Sequence, residues 1–384
     1  MDRPDASPPR PGRRRPAPIG VRATIRGFER ARLSVDEAGD ALAATAARLT
    51  IPLADGPSQD LDILGISGGA AGGAFGAGVL VGLSRAAARP RFQIVTGVST
   101  GALMAPFAFL GSDWDARLTD AYTGGYAARL WRLTRLAPTL DGGLLRPEAL
   151  DRLINPFIDE DLLAAVAREH AAGRRLLVAT TDLDSEKACI WDMGEIASHG
   201  GDAALALFRE VLAASASLPG LFPPRRFACE AEGRSYEEMH VDGGVAAPLF
   251  VMPEALLRWK DLGRRLHNSR IYVIANMALE QIPKTTPPNL VAILGRSFDT
   301  MLRSSYRQAL SVVTTFCGDH DLSLRVAAIA PTADNGNMLS FDTKVMRKIF
   351  DEAVERAQQP GFWLAPRPAA PPTPTDVLRP IAAP

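Results

Sequence analysis

The chain has 384 residues, 47% hydrophobic and 22% charged, a composition that suits a folded globular protein of one large domain or two ordinary ones. Lys plus Arg number 43, as do Asp plus Glu, so the formal charge is zero and nothing in the balance draws the chain to nucleic acid. Cys189, Cys229 and Cys317 show neither a CxxC pair nor metal-ligand spacing; they read as buried or semi-buried free thiols and imply no metal or cofactor.

Residues 1–20 are rich in Pro and Arg and lack the apolar run of about 7–15 residues that a secretory signal needs. They read as a solvated tail, on a cytoplasmic protein that touches membranes at most peripherally. Residues 21–60 read as a helical extension: the pattern over 24–50 puts Val35, Ala38, Leu42 and Ala46 on one face. The organised core starts at Leu61. Gly65–Leu83 is uncharged and approaches the length of a spanning helix, but it holds eight glycines. Each costs about 0.8–1 kcal/mol relative to Ala inside a helix. A strand, a Gly-rich loop and a buried helix account for the stretch better than a membrane span.

From Leu61 onward strand and helix alternate. Strands are expected at Leu61–Ile66, Phe92–Val98, Arg175–Thr180, Ile271–Ala275 and Leu322–Ile329, with a strand end at Met239–Val241. Helices are expected at Ala74–Ala88, Ala102–Leu110 (around Pro106), Ala203–Ala216, Leu290–Thr315 and Asp342–Gln359. This alternation implies an α/β sandwich with a largely parallel sheet. Residues 366–384 are Pro-rich and read as a second disordered tail.

Three short motifs carry the chemistry. Gly97-Val98-Ser99-Thr100-Gly101 fits G-x-S-x-G between a predicted strand and a predicted helix. A turn that tight needs small flanking residues and lifts the Ser99 hydroxyl clear of the sheet, beside a helix amino terminus. A small-residue turn with a capping serine would look the same. Ser67-Gly68-Gly69-Ala70-Ala71-Gly72-Gly73 follows the first core strand. Its backbone N–H groups suit an oxyanion, though glycines after a strand also cradle phosphates. Ser99 follows this loop by about thirty residues, one βαβ unit, so both turns should emerge side by side at the carboxyl edge of the sheet. The third motif is Asp242-Gly243-Gly244, in which the aspartate could serve as base or simply start a turn. A second copy, Asp141-Gly142-Gly143, lacks a leading strand and reads as turn and capping chemistry.

In this order, SGGAAGG, GVSTG and DGG resemble the patatin-like phospholipase family. The stretch Ala213–Pro219 followed by Leu221-Phe222-Pro223-Pro224 also looks like that family's Ser/Ala-rich helix end. The resemblance spans roughly residues 61–250, a patatin-like catalytic core, with 251–365 continuing the same domain. It implies a three-layer α/β/α sandwich and a lipid acyl hydrolase with a Ser–Asp dyad and no cofactor. Ser99 would be nucleophile and Asp242 general base and acid. N–H groups of Gly68, Gly69 and Ala70 would form the oxyanion hole, with Gly97, Gly101, Gly243 and Gly244 in support. The family often has Asp-Gly-Gly-Gly-x-Arg/Lys-Gly where this chain has Ser67, Ala70 and Gly72 in place of the aspartate, third glycine and cation. Alanine still donates an N–H where φ is not positive. The missing cation favours ester or acyl-lipid hydrolysis over phospholipase activity.

Rival readings differ in class. A Ser-His-Asp triad would draw on His240, which on a strand shares a face with Asp242. A patatin-fold protein that binds lipid or acts as a scaffold would need no active Ser99. A nucleotide-binding enzyme would use the Gly-rich loop alone. On Leu290–Thr315, Phe298, Met301, Leu302, Tyr306 and Leu310 could frame an acyl pocket, although core packing accounts for them more economically.

Overall fold

The computed structural model describes residues 21, 23–33, 61–129, 143, 145–146, 148–249, 269–280, 285–330 and 341–366. The first half holds β1 (Arg32–Leu33), β2 (Asp62–Ile66), α1 (Gly73–Arg85), β3 (Ile94–Val98), α2 (Thr100–Leu110), α3 (Asp115–Thr123), α4 (Glu148–Ile154) and α5 (Glu160–Ala171). Next come β4 (Arg175–Asp182), β5 (Lys187–Asp192), α6 (Met193–His199), α7 (Gly201–Ser215), β6 (Arg225–Ala231) and β7 (Arg234–Asp242). Beyond these lie β8 (Arg270–Ala275), α8 (Leu290–Asp319), β9 (Ser323–Ala328) and α9 (Thr343–Ala357).

The strands form one mixed, mostly parallel sheet in the order β1-β5-β4-β3-β2-β8-β9. Neighbours from β4 to β9 along that path are parallel. Strands β5 and β7 both pair antiparallel with β4, and β6 pairs with β7. Alternate residues of the parallel strands feed two cores. Leu64, Val95, Val178 and Ile274 face one, with Leu80, Phe107, Phe208 and Phe350 from α1, α2, α7 and α9. Ile63, Ile94, Leu177 and Val273 face the other, with Tyr306, Val313 and Phe316 from α8. A sheet buried on both faces is what continuous apolar runs such as Ile94–Val98 require. Helices therefore flank a central sheet, as expected from the alternation.

The sequence reading differs from the fold in several places. The strand end at Met239–Val241 is the tail of a long hairpin, β6–β7, closed by Glu232 and Gly233 at φ 51° and 72°. Two consecutive positive-φ residues make the turn whose twist matches its strands. Strand β6 buries every second residue, Arg225 among them, and turns Arg226, Ala228 and Glu230 outward, which hides it from a search for apolar runs. Residues 24–33, inside the expected helical pattern, instead make β-bridges and β1, where Arg32 pairs with buried Glu238 at 2.7 Å. The rest of that extension, including Val35, Ala38, Leu42 and Ala46, lies outside the described residues, as do residues 1–20 and 367–384.

The uncharged stretch from Gly65 resolves into β2, a short 3-10 turn and α1. Glycines within α1 form a contact face. A Cβ at Gly78 would fall 2.3 Å from the Phe350 carbonyl oxygen, and one at Gly82 would fall 2.6 Å from that of Val354. Helix α9 thus packs onto α1 at a distance no side chain allows. No described helix is long and apolar enough to cross a membrane.

Candidate active site

Ser99 alone joins β3 to α2, at φ 57° and ψ −128°. A non-glycine residue there costs about 1–3 kcal/mol and persists only where its surroundings fix it. The Ser99 N–H donates to Ser215 Oγ at 3.0 Å, and Ser215 Oγ donates to the Ala179 carbonyl at 2.7 Å. Helix α2 starts immediately after Ser99, so its positive end lies at the hydroxyl. The flanking glycines serve close packing. A Cβ at Gly101 would lie 2.4 Å from the Ile66 oxygen, and one at Gly97 would lie 2.6 Å from the Gly101 oxygen.

The Gly-rich loop leaves β2, the parallel neighbour of β3, so the two turns are adjacent. Buried Asn276, just past β8, holds the loop. Its N–H donates to Ser67 Oγ and its Nδ2 to the Ser67 carbonyl, both at 2.8 Å, while its Oδ1 accepts from the Gly76 N–H at 3.0 Å. Gly69 has φ 151°, and a Cβ there would lie 2.1 Å from the Asn276 oxygen. Gly68 lies against Ser99, where a Cβ would come 3.1 Å from Ser99 Cβ. Ala70 has φ 47°, so the condition under which alanine replaces glycine freely is not met, and it carries about 1–2 kcal/mol of strain. Nor can Gly72 be exchanged for a cation, since any Cβ would fall 2.1 Å from the Asn276 oxygen. Among the described residues the backbone N–H groups of Gly68, Gly69 and Ala70 meet no acceptor.

Asp242 ends β7, and two register pairs deliver it. Val98 pairs with Ala179, and the next residue of β4, Thr180, pairs with Asp242. Ser99 Oγ consequently donates to Asp242 Oδ2 at 2.5 Å. Asp242 Oδ1 accepts from the Gly244 N–H at 2.8 Å, and the Asp242 N–H donates to the Ser217 carbonyl at 2.9 Å. Burial pushes the Asp242 carboxyl up to about 6, against the bonds from Ser99 and Gly244 that favour its ionised form. Gly243 leaves no room for a side chain, since a Cβ would fall 2.2 Å from the Ala179 oxygen.

His240 stands elsewhere. Its Nδ1 meets Thr180 Oγ1 at 2.9 Å and its Nε2 meets Glu238 Oε2 at 3.1 Å, so both ring nitrogens are engaged away from Ser99. Cys189, Cys229 and Cys317 are buried and unpaired. In the second Asp-Gly-Gly, Asp141 and Gly142 lie outside the described residues, and Gly143 bridges to Gly220. A cavity of about 1730 Å³ extends from Ser99 and Asp242 to α8, lined by Leu103, Leu218, Phe222, Phe298 and Leu302 among others. The front of α8 is therefore a cavity wall as much as core: Met301 lines it at 67% exposed, whereas Leu310 packs on the second core.

Residues 64–254 match the family model described as Patatin-like phospholipase. The chain carries a patatin-like phospholipase domain. That family supports lipid acyl hydrolysis in general terms and implies lipid substrates. Among solved structures, VipD from Legionella pneumophila is similar at 13% identity and a TM-score of 0.35, covering 77% of this chain and 67% of that one. No curated protein matches the sequence. The three sequence motifs leave out two residues that hold this geometry, Asn276 and Ser215. Asn276 carries no motif and lies 209 residues from Ser67. Ser215 falls in the Ser/Ala-rich stretch noted in the sequence, which was the signal for it.

Proposed function

We propose that the protein hydrolyses lipid carboxylic esters through an acyl-enzyme on Ser99, with Asp242 as base and acid. The observation that carries this reading is the 2.5 Å hydrogen bond from Ser99 Oγ to Asp242 Oδ2 at the edge of an apolar cavity. Ionised Asp242 takes the Ser99 proton as Oγ attacks the ester carbonyl carbon. The oxyanion forms towards the N–H groups of Gly68, Gly69 and Ala70; one such donor is worth about 2.7–4 kcal/mol in a comparable hydrolase. Asp242 returns the proton to the departing alcohol, then activates water against the acyl-enzyme. A carboxyl raised to about 6 is a stronger base than an ordinary aspartate yet is ionised at neutral pH.

We take residues 61–365 as one catalytic unit, because β8 and β9 extend the sheet that bears Ser99 and α8 walls the cavity. The loop offers no cation for a phosphate, which favours neutral esters. Fluorophosphonate labelling and an ester panel, run on wild type and Ser99→Ala, test the reading. Labelling and turnover confined to wild type support it. A wild type that binds fatty acid but neither labels nor turns over would leave a lipid-binding protein instead.

A further inference from the structure

The Gly-rich loop is pinned at its first residue by a chain of hydrogen bonds that the chemistry above does not call on. Ser67 is fully buried. Its N–H donates to the Ile274 carbonyl at 3.0 Å, and its Oγ accepts from the Asn276 N–H at 2.8 Å. A serine hydroxyl has one proton to give, and here it goes to the next carbonyl: Ser67 Oγ donates to the Gly68 oxygen at 2.7 Å. In a trans peptide the C=O and N–H point opposite ways, and no described peptide bond is cis. Holding the Gly68 oxygen towards Ser67 therefore turns the Gly69 N–H away from it. That N–H meets no acceptor among the described residues, and Gly68, Gly69 and Ser99 line one cavity. Gly69 sits at φ 151°, and turning the Gly68–Gly69 peptide over would carry φ towards the negative values that most residues take. Turned over, the same peptide would offer a carbonyl oxygen where it now offers an N–H. Glycine backbone does not choose between the two by itself.

We propose that Ser67 is a positioning residue: its hydroxyl, fixed by Asn276, locks the Gly68–Gly69 peptide with the Gly69 N–H free to meet the oxyanion. This rests on the Ser99 reading and adds what keeps its oxyanion hole formed before substrate arrives. An ionised aspartate at position 67 could accept from Asn276 but could not donate to Gly68, so the serine found there is not a neutral exchange.

The test removes one oxygen, in Ser67→Ala, and compares p-nitrophenyl decanoate with its thionoester, whose carbonyl sulfur is a poor acceptor for N–H groups. Wild type should prefer the oxygen ester. Ser67→Ala should lower kcat for the oxygen ester by about 10–100-fold with KM within about threefold. The thionoester should lose much less, so the preference for oxygen shrinks. Should Ser67→Ala not fold, Asn276→Asp carries the same comparison: it keeps the acceptor for Gly76 and loses the donor to the Ser67 carbonyl. Crystal structures of wild type and Ser67→Ala read the peptide itself. In the variant the Gly68 carbonyl should turn over, in whole or in part, with Gly69 φ becoming negative. An unmoved peptide, an unchanged kcat, or a loss shared equally by the two esters overturns the proposal; the last is what a merely structural role would give. A wild type that neither labels with fluorophosphonate nor turns over, with a peptide that still turns over in Ser67→Ala, would mean that the Ser99 reading had failed and the lock had not.

Discussion

Two turns at neighbouring strand ends each hold a non-glycine residue at positive φ: Ser99 at 57° and Ala70 at 47°. Their surroundings differ. Around Ser99 the strain serves the proposed chemistry, because the turn that strains the backbone also aims Oγ at Asp242, and Ser215 clamps the N–H in place. Around Ala70 the side chain contributes nothing that glycine would lack; the conformation is imposed on the loop that Asn276 holds. On the proposed mechanism the first strain belongs to the reaction, whereas the second serves no step of it and one substitution should remove it.

The largest expected effects test the first half of that contrast. Ser99→Ala and Asp242→Asn should each lower kcat by about 10⁴-fold or more in the ester assay, with unchanged far-UV circular dichroism. Asp242→Asn should also stabilise the protein. With the folded carboxyl raised from 3.8 to about 6, stability is full below the unfolded value and falls as pH rises through about 6. At pH 8 the amide should therefore gain up to about 3 kcal/mol in denaturant melts, a difference that vanishes near pH 4. Wild-type kcat/KM should rise with pH through an apparent value near 6.

Removing the clamp comes next. Ser215→Ala leaves the Ser99 N–H and the Ala179 carbonyl short of a partner, and should cost about 1–3 kcal/mol in melts together with a loss of kcat. An unchanged kcat would detach the clamp from the chemistry. The smallest and sharpest pair is Ala70→Gly and Ser99→Gly. Each should raise stability by about 1 kcal/mol through relief of positive φ, with the first keeping its activity within a few-fold and the second losing it. A destabilised Ala70→Gly would break the comparison.

Much of this site was legible in the sequence because its parts are local. A G-x-S-x-G turn between strand and helix, and a Gly-rich loop one βαβ unit before it, are short patterns with strong steric requirements. Asp242 was legible as a strand end but not as the end of a hairpin, since β6 reads as Arg-Arg-Phe-Ala-Cys-Glu-Ala and alternates rather than running apolar. Asn276 was not legible at all: its contacts with Ser67 cross 209 residues and have no periodicity to betray them. The glycines of α1 were visible, but their purpose was not, because the partner backbone at Phe350 and Val354 arrives from the far end of the chain.

The sequence by itself determined the alternation of strand and helix, the α/β class, and the three motifs in their order, because each depends on neighbouring side chains and backbone sterics. Tertiary structure alone decided which register brings Thr180 opposite Asp242 and so closes the 2.5 Å contact with Ser99. It also decided that Ala70 must take a positive φ, that Gly72 has no room for a cation, and that α8 walls the cavity. Those outcomes depend on where distant segments meet, and the close packing that fixes such meetings leaves no trace in any short stretch of the chain.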